Sequence, residues 1–101
     1  MHTIILIGTL KMTPDEIIEK HRETLLLIEN ERKKKMEICI VYHPLQKKCL
    51  SNDELKSEEK IKCFTSLIDM MDKIEKSTRE ITRLYRVSKV YENEIRILRE
   101  K

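Results

Sequence analysis

Apolar residues recur along the C-terminal half of the chain at alternating steps of three and four residues, beginning at Leu67. This spacing places them on one side of a helix and is typical of a coiled-coil seam, in which Ser77 and Ser88 are the polar members. The apolar seam positions are Leu67, Met70, Ile74, Ile81, Leu84, Tyr91, Ile95 and Leu98. The pattern predicts a long helix that buries this seam against another helix.

A second apolar stripe lies about 100° around the same helix, one residue out of phase with the seam. Its members are Ile61, Phe64, Ile68 and Met71. We therefore expect the first half of this helix to bury a wider face than the second half, with two neighbours at its base and one farther out.

Two helix starts carry a capping box, in which a Ser or Thr hydroxyl and a Glu three residues later satisfy free amides of the first turn. The boxes are Thr13–Glu16, with Pro14 at the first helical position, and Ser51–Glu54. Pro44 disfavours helical backbone at His43 and ends the element before it. A single domain over residues 1–101 then comprises an N-terminal segment (1–12), a first helix (13–43), a connection (44–51) and a second helix (52–101).

The first helix has a less regular pattern, in which an amphipathic stripe precedes a β-branched run over Met36–Tyr42. Such a run is compatible with helix or strand. We predict that the first helix continues through Met36–Tyr42 and packs this run on Ile61–Met71. The fold is then mainly α, a helical hairpin with a long C-terminal coiled-coil helix. If the run is a strand near 36–42 that pairs with a strand near 3–10, the fold is α+β. The amphipathic stripe of the first helix consists of Ile17, Ile18, His21, Leu25 and Ile28.

Helix lengths predict that the seam needs a partner. At 1.5 Å per residue the second helix would be roughly 70 Å long, and a first helix that continued to Tyr42 would reach only about 45 Å. The last turns of the second helix would then lie uncovered, although their seam positions are apolar. We expect a second copy of the chain, or another coiled-coil protein, to cover them.

Composition favours helix–helix packing inside the cell. Aromatic residues make up only 4% of the chain, too few to fill a globular core. Three cysteines are an odd number without the spacing of a disulfide framework, which favours the cytoplasm or nucleus. The apolar run Ile4–Leu10 is too short to span a bilayer and lacks the features of a signal peptide, so we expect no membrane association.

The cysteines and histidines do not form a known metal or catalytic motif. Cys39, His43, Cys49 and Cys63 lack the short spacing of zinc ligands, and we expect free thiols, with Cys39 and Cys63 on facing helices. A Cys–His nucleophilic pair would need an oxyanion hole, and the single glycine, Gly8, provides no glycine-rich turn to build one. We therefore expect no enzyme, no metal and no cofactor.

Two basic groups could contact phosphates. The run Arg32–Lys35 is flanked by glutamates, which weaken its field. The other group lies on one side of the second helix and consists of Arg79, Arg83, Arg86 and Lys89. The net charge of +3 is small and no aromatic residues interleave with either group, so nucleic-acid binding is the alternative and not the favoured function.

The two-helix outline resembles the hairpin chaperone subunits of the prefoldin type. The helices here are unequal and no motif matches that family, so no residue roles are carried over. The favoured function is a protein–protein interaction and oligomerisation module that acts as a scaffolding component of a larger assembly.

Overall fold

The computed structural model describes residues 5–7, 10–51 and 56–100. These residues form two short strands followed by two long helices. The elements are β1 (Ile5–Ile7), β2 (Leu10–Met12), α1 (Pro14–Ser51) and α2 (Ser57–Arg99). The two helices form a hairpin, which confirms the predicted mainly α fold.

The strands form an antiparallel pair within the N-terminal segment. Ile5 lies opposite Met12, and Ile7 lies opposite Leu10. The α+β alternative is not supported, because Met36–Tyr42 belongs to α1 and provides no strand for this pair.

Helix α1 begins as its capping box predicts. The backbone N–H of Glu16 donates to Thr13 Oγ1 at 3.2 Å, and the N–H of Ile17 donates to the Thr13 carbonyl at 3.0 Å. Pro14 is the first helical residue, where its missing N–H costs nothing. Acidic side chains in the first turn interact favourably with the helix dipole. This end of the helix is therefore determined by its local sequence.

The other end of α1 differs from the prediction. The helix continues through Pro44 to Ser51, so the connection predicted over 44–51 is wrong. A proline inside a helix costs about 3 kcal/mol, because it removes one backbone hydrogen bond and crowds the preceding turn. Leu45 is half-buried and Cys49 is buried on the side of α1 that faces α2, and their packing offsets this cost.

The second capping box is only partly described. Ser51 is the last residue of α1, and its hydroxyl donates to the carbonyl of Lys47 in the preceding turn. The remainder of the box, residues 52–54, lies outside the described residues.

The internal contacts divide the chain into two compact units. The first unit comprises the described residues of 1–30 and 81–101, and the second comprises the described residues of 31–80. In each unit a segment of α1 packs antiparallel on a segment of α2. None of the helices in the described part of the chain is long and apolar enough to cross a membrane.

Candidate interaction surface

The predicted seam of α2 faces α1 of the same chain, and all of its positions are buried or half-buried. In the first unit, Tyr91 is buried together with Met12 and Ile17, and Ile95 and Leu98 pack against this cluster. The expectation that the distal turns lie uncovered is therefore wrong, because β2 and the start of α1 pack on them. Self-association remains a prediction, but it has to use another surface.

Helix α1 has its own seam, which the apolar pattern alone does not reveal. Ile18 and Leu25, two members of the predicted stripe, are exposed, whereas Thr24 is buried. The Thr24 hydroxyl donates to the carbonyl of Lys20 at 2.7 Å, so its burial leaves no donor unsatisfied. Ten buried or half-buried positions alternate in steps of four and three and form this seam: Ile17, His21, Thr24, Ile28, Glu31, Lys35, Ile38, Tyr42, Leu45 and Cys49. Pro14, Cys39 and Gln46 are also half-buried, beside the seam.

A polar contact joins the two seams in the second unit. The hydroxyl of Ser77, which is buried, donates to Glu31 Oε1 at 2.9 Å and lies 3.4 Å from the Glu31 carbonyl oxygen. A shift of one helix along the other would separate the Ser77 hydroxyl from this acceptor. Because an unsatisfied buried hydroxyl costs about 1–3 kcal/mol, the contact favours one register of the hairpin.

The second apolar stripe of α2 is exposed, which contradicts the expectation that α1 covers it. Ile61 and Ile68 each retain 66% of their accessible surface, and the rest of the stripe is also exposed. Two apolar residues of α1, Met36 and Leu50, are 65% and 64% exposed. We call this set of six side chains the outer face: Met36, Leu50, Ile61, Phe64, Ile68 and Met71.

Two grooves flank the seam of the second unit, and one of them is bordered by lysines. A shallow depression in this groove is lined by Val41 of α1 and Lys73 of α2. Another depression is lined by Lys48 of α1 and Ser66 of α2. We call this side the lysine groove.

The outer face borders the opposite groove. In α2, Met71 and Lys73 are two positions apart, so their side chains leave the helix about 160° apart, with the seam between them. The same spacing separates Cys39 from Val41 in α1. Since Val41 and Lys73 border the lysine groove, Cys39 and Met71 border the other one. Met36 and Leu50 of α1 therefore lie on the same side of the second unit as the apolar stripe of α2, with the exposed His43 midway between them along α1.

The four candidate phosphate contacts are exposed, and Arg79 and Lys89 each lie close to a carboxylate of the same helix. In the second unit, Arg79 lies 3.7 Å from Glu75 Oε1. In the first unit, Lys89 lies 3.7 Å from Glu92 Oε2, and Arg83 and Arg86 are also exposed. A nearby opposite charge reduces the field that attracts a phosphate.

The cysteines are arranged differently from the prediction of three free thiols. Cys49 of α1 and Cys63 of α2 form a disulfide with Cα atoms 5.9 Å apart, and Cys39 is free. The pairing could not be predicted while Pro44 placed Cys49 outside the helix. His43 is exposed, with its ring edge-on to that of Tyr42. Among the described residues, no group of three or more His, Cys, Asp or Glu side chains is placed to hold a metal ion.

Comparison of the chain with protein-family models, with curated proteins and with solved structures gave no match. The resemblance to hairpin chaperone subunits is therefore one of outline alone.

Proposed function

We propose that this chain is a protein–protein interaction module, a coiled-coil hairpin that acts as a structural or scaffolding component of a larger assembly. The proposal is supported by the exposure of the six apolar side chains of the outer face. Its two most exposed members, Ile61 and Ile68, lie seven residues apart and therefore on the same side of α2. Contiguous apolar patches of several hundred Å² on a soluble protein mark interaction sites.

The chemistry of the outer face suits a protein partner. Burying an exposed Ile, Leu, Met or Phe side chain is worth roughly 1.5–3 kcal/mol relative to leaving it in water. Two methionines, Met36 and Met71, lie at the end of the set away from the disulfide and can adapt their shape to a partner. The seam inside each unit holds the hairpin together, so binding at the outer face would not require the hairpin to open.

We do not propose nucleic-acid binding as the function. The carboxylate partners of Arg79 and Lys89 reduce the field of the basic group, and no described contact singles it out as a site. A cytoplasmic or nuclear location remains part of the proposal. In those compartments the Cys49–Cys63 disulfide would be subject to reduction.

Site-specific photo-crosslinking in the source cells tests the proposal. A photoreactive amino acid replaces Ile68 on the outer face, and a matched variant carries it at Val41, which is also exposed but borders the lysine groove. We expect a discrete higher-mass adduct from position 68 and little from position 41. Equal labelling at both positions, or no adduct at position 68, would contradict the proposal.

A further inference from the structure

We propose that the disulfide between Cys49 and Cys63 is a reversible redox switch, which a dithiol opens by attack on Cys63. In its closed form the disulfide holds the part of α1 beyond Pro44 against α2. It joins the last turn of α1 to the second turn of α2, and both turns lie in the second unit. The inference goes beyond the proposed function, and it does not depend on a partner at the outer face.

The two cysteines differ in their exposure. Cys49 is buried, with 4% of its surface accessible, whereas Cys63 is half-buried and lines the surface depression that also contains Lys48 and Ser66. Thiol–disulfide exchange depends on which of the two sulfur atoms the attacking thiolate can reach. We therefore expect the reductant to approach through this depression and to attack the sulfur of Cys63.

The charges around the depression favour an anionic attacker. Lys48 and Lys62 line it together with one carboxylate, that of Glu59, so one positive charge is in excess. The thiolate, and not the thiol, is the nucleophile in the exchange. A positive local field raises the concentration of such an anion beside Cys63. Exposure and charge therefore favour attack on the same sulfur.

Opening transfers two electrons and two protons to the chain. A thiolate of the reductant forms a bond to Cys63 Sγ, and the bond to Cys49 breaks, so that Cys49 leaves as a thiolate and takes up a proton from water. The second thiolate of the reductant then attacks the reductant's own sulfur in this mixed disulfide, and Cys63 leaves and is protonated in turn. The dithiol has given up two electrons and two protons and ends as a disulfide. Exchange in the opposite direction, with a disulfide of the same class, closes the bond again.

The proline inside α1 makes the end of this helix dependent on the disulfide. Pro44 has no backbone N–H, so the turn before it lacks one helical hydrogen bond. Residues 45–51 form about two further turns, which is shorter than the roughly 12–15 residues that an isolated helix needs. The disulfide and the packing of Leu45 and Cys49 hold this segment on α2, and without the covalent bond we expect the segment to detach. Because Leu50 lies on the segment, reduction would also remove one apolar side chain from the outer face.

Mass spectrometry tests which sulfur is attacked. The full-length Cys39→Ser protein is used, because thiols can then arise only at Cys49 and Cys63. It is exposed briefly to reduced glutathione and quenched in acid, and its free thiols are alkylated after denaturation. We expect glutathione on Cys63 and the alkyl group on Cys49. Glutathione mainly on Cys49, or no mixed disulfide unless denaturant is present, would overturn the proposal.

The rate of reduction tests the depression as the route of attack. Lys48→Gln should slow reduction by glutathione about two-fold, because it removes a charge that lines the depression. Lys47→Gln is the matched control, since Lys47 is also exposed on α1, and it should leave the rate unchanged. Equal rates for the two variants would overturn this route.

Hydrogen exchange followed by mass spectrometry tests the release of residues 45–51. We expect the amides of this segment to exchange roughly ten-fold faster or more in the reduced protein, while those of Met36–Tyr42 keep their protection. Pro44→Ala restores the missing backbone hydrogen bond, so reduction should release its segment several-fold less than that of the wild-type chain.

Three results of the exchange experiment would contradict the proposal. Equal protection of residues 45–51 in the oxidised and reduced forms would overturn the switch. An equal loss of protection over Met36–Tyr42 would also overturn it, because the disulfide would then only stabilise the unit as a whole. If reduction released the segment of Pro44→Ala as readily as that of the wild-type chain, Pro44 would not be the point of release.

Discussion

Adjacent isoleucines at the start of α1 provide a sharp test of the packing described above. Ile17 is completely buried in the first unit, whereas Ile18 is 53% exposed. Both would be expected in the core from the apolar pattern alone. Replacing each in turn by Ala makes the same chemical change in the same helical turn, so the difference in helix propensity cancels between the two variants.

The expected free-energy changes differ several-fold. Ile17→Ala removes buried methyl groups from the cluster with Met12 and Tyr91 and leaves a cavity, which typically costs about 2–5 kcal/mol. Ile18→Ala removes a partly solvated side chain, and exposed substitutions usually stay within about 0.5 kcal/mol. Against a total stability of about 5–15 kcal/mol, the first change is a large fraction and the second is not.

Urea denaturation followed by circular dichroism, at one fixed protein concentration, measures the difference. With a denaturant dependence of about 1.5 kcal/mol/M, a loss of about 3 kcal/mol lowers the midpoint by about 2 M. The midpoint of Ile18→Ala should move by less than about 0.5 M. Equal shifts for the two variants would refute the reasoning, because they would show that α1 does not present Ile17 alone to α2.

Three further predictions concern the cap, the polar contact and the disulfide. Thr13→Ala should lower the free energy of unfolding by about 1 kcal/mol, measured by the same denaturation, and no change would argue against its capping role. Ser77→Ala should lower the free energy of unfolding by about 0.5–1.5 kcal/mol, and it should lower it no further when Glu31 is already replaced by Ala. Additive losses in this double-mutant cycle would show that the two side chains do not interact. Reducing agent or Cys63→Ser should lower the free energy of unfolding by about 3 kcal/mol, because the disulfide closes a loop of about fifteen residues. Cys39→Ser is the control and should leave it unchanged. Identical thermal melting with and without reductant would contradict the disulfide.

The features predicted correctly depend on residues close together in the chain. The start of α1 follows from Thr13 and Pro14, which satisfy or remove the free amides of the first turn within four residues. The seam of α2 follows from its unbroken three–four spacing, and all of its positions are buried or half-buried. Sequence pattern was also sufficient to identify a second apolar stripe on α2.

The features predicted wrongly depend on what each helix packs against. Glu31 and Thr24 occupy seam positions that an apolar pattern cannot reveal, because their polar groups are satisfied by Ser77 and by Lys20. Pro44 has a strong local tendency to end a helix, and burial of Cys49 beyond it outweighs that tendency. The Cys49–Cys63 disulfide depends in turn on α1 reaching that far.

The sequence by itself determined three features: the two amphipathic helices, the residue at which the first helix begins, and the side of α2 that forms a continuous seam. Capping and periodicity determine these features because they act over one or two helical turns. Only the tertiary structure decided which side of α1 meets that seam. This choice left Ile61 and Ile68 in solvent, since a helix that packs on one stripe cannot also cover another about 100° away. The exposed stripe, and with it the candidate interaction surface, is therefore a consequence of how the two helices pair and not of either helix alone.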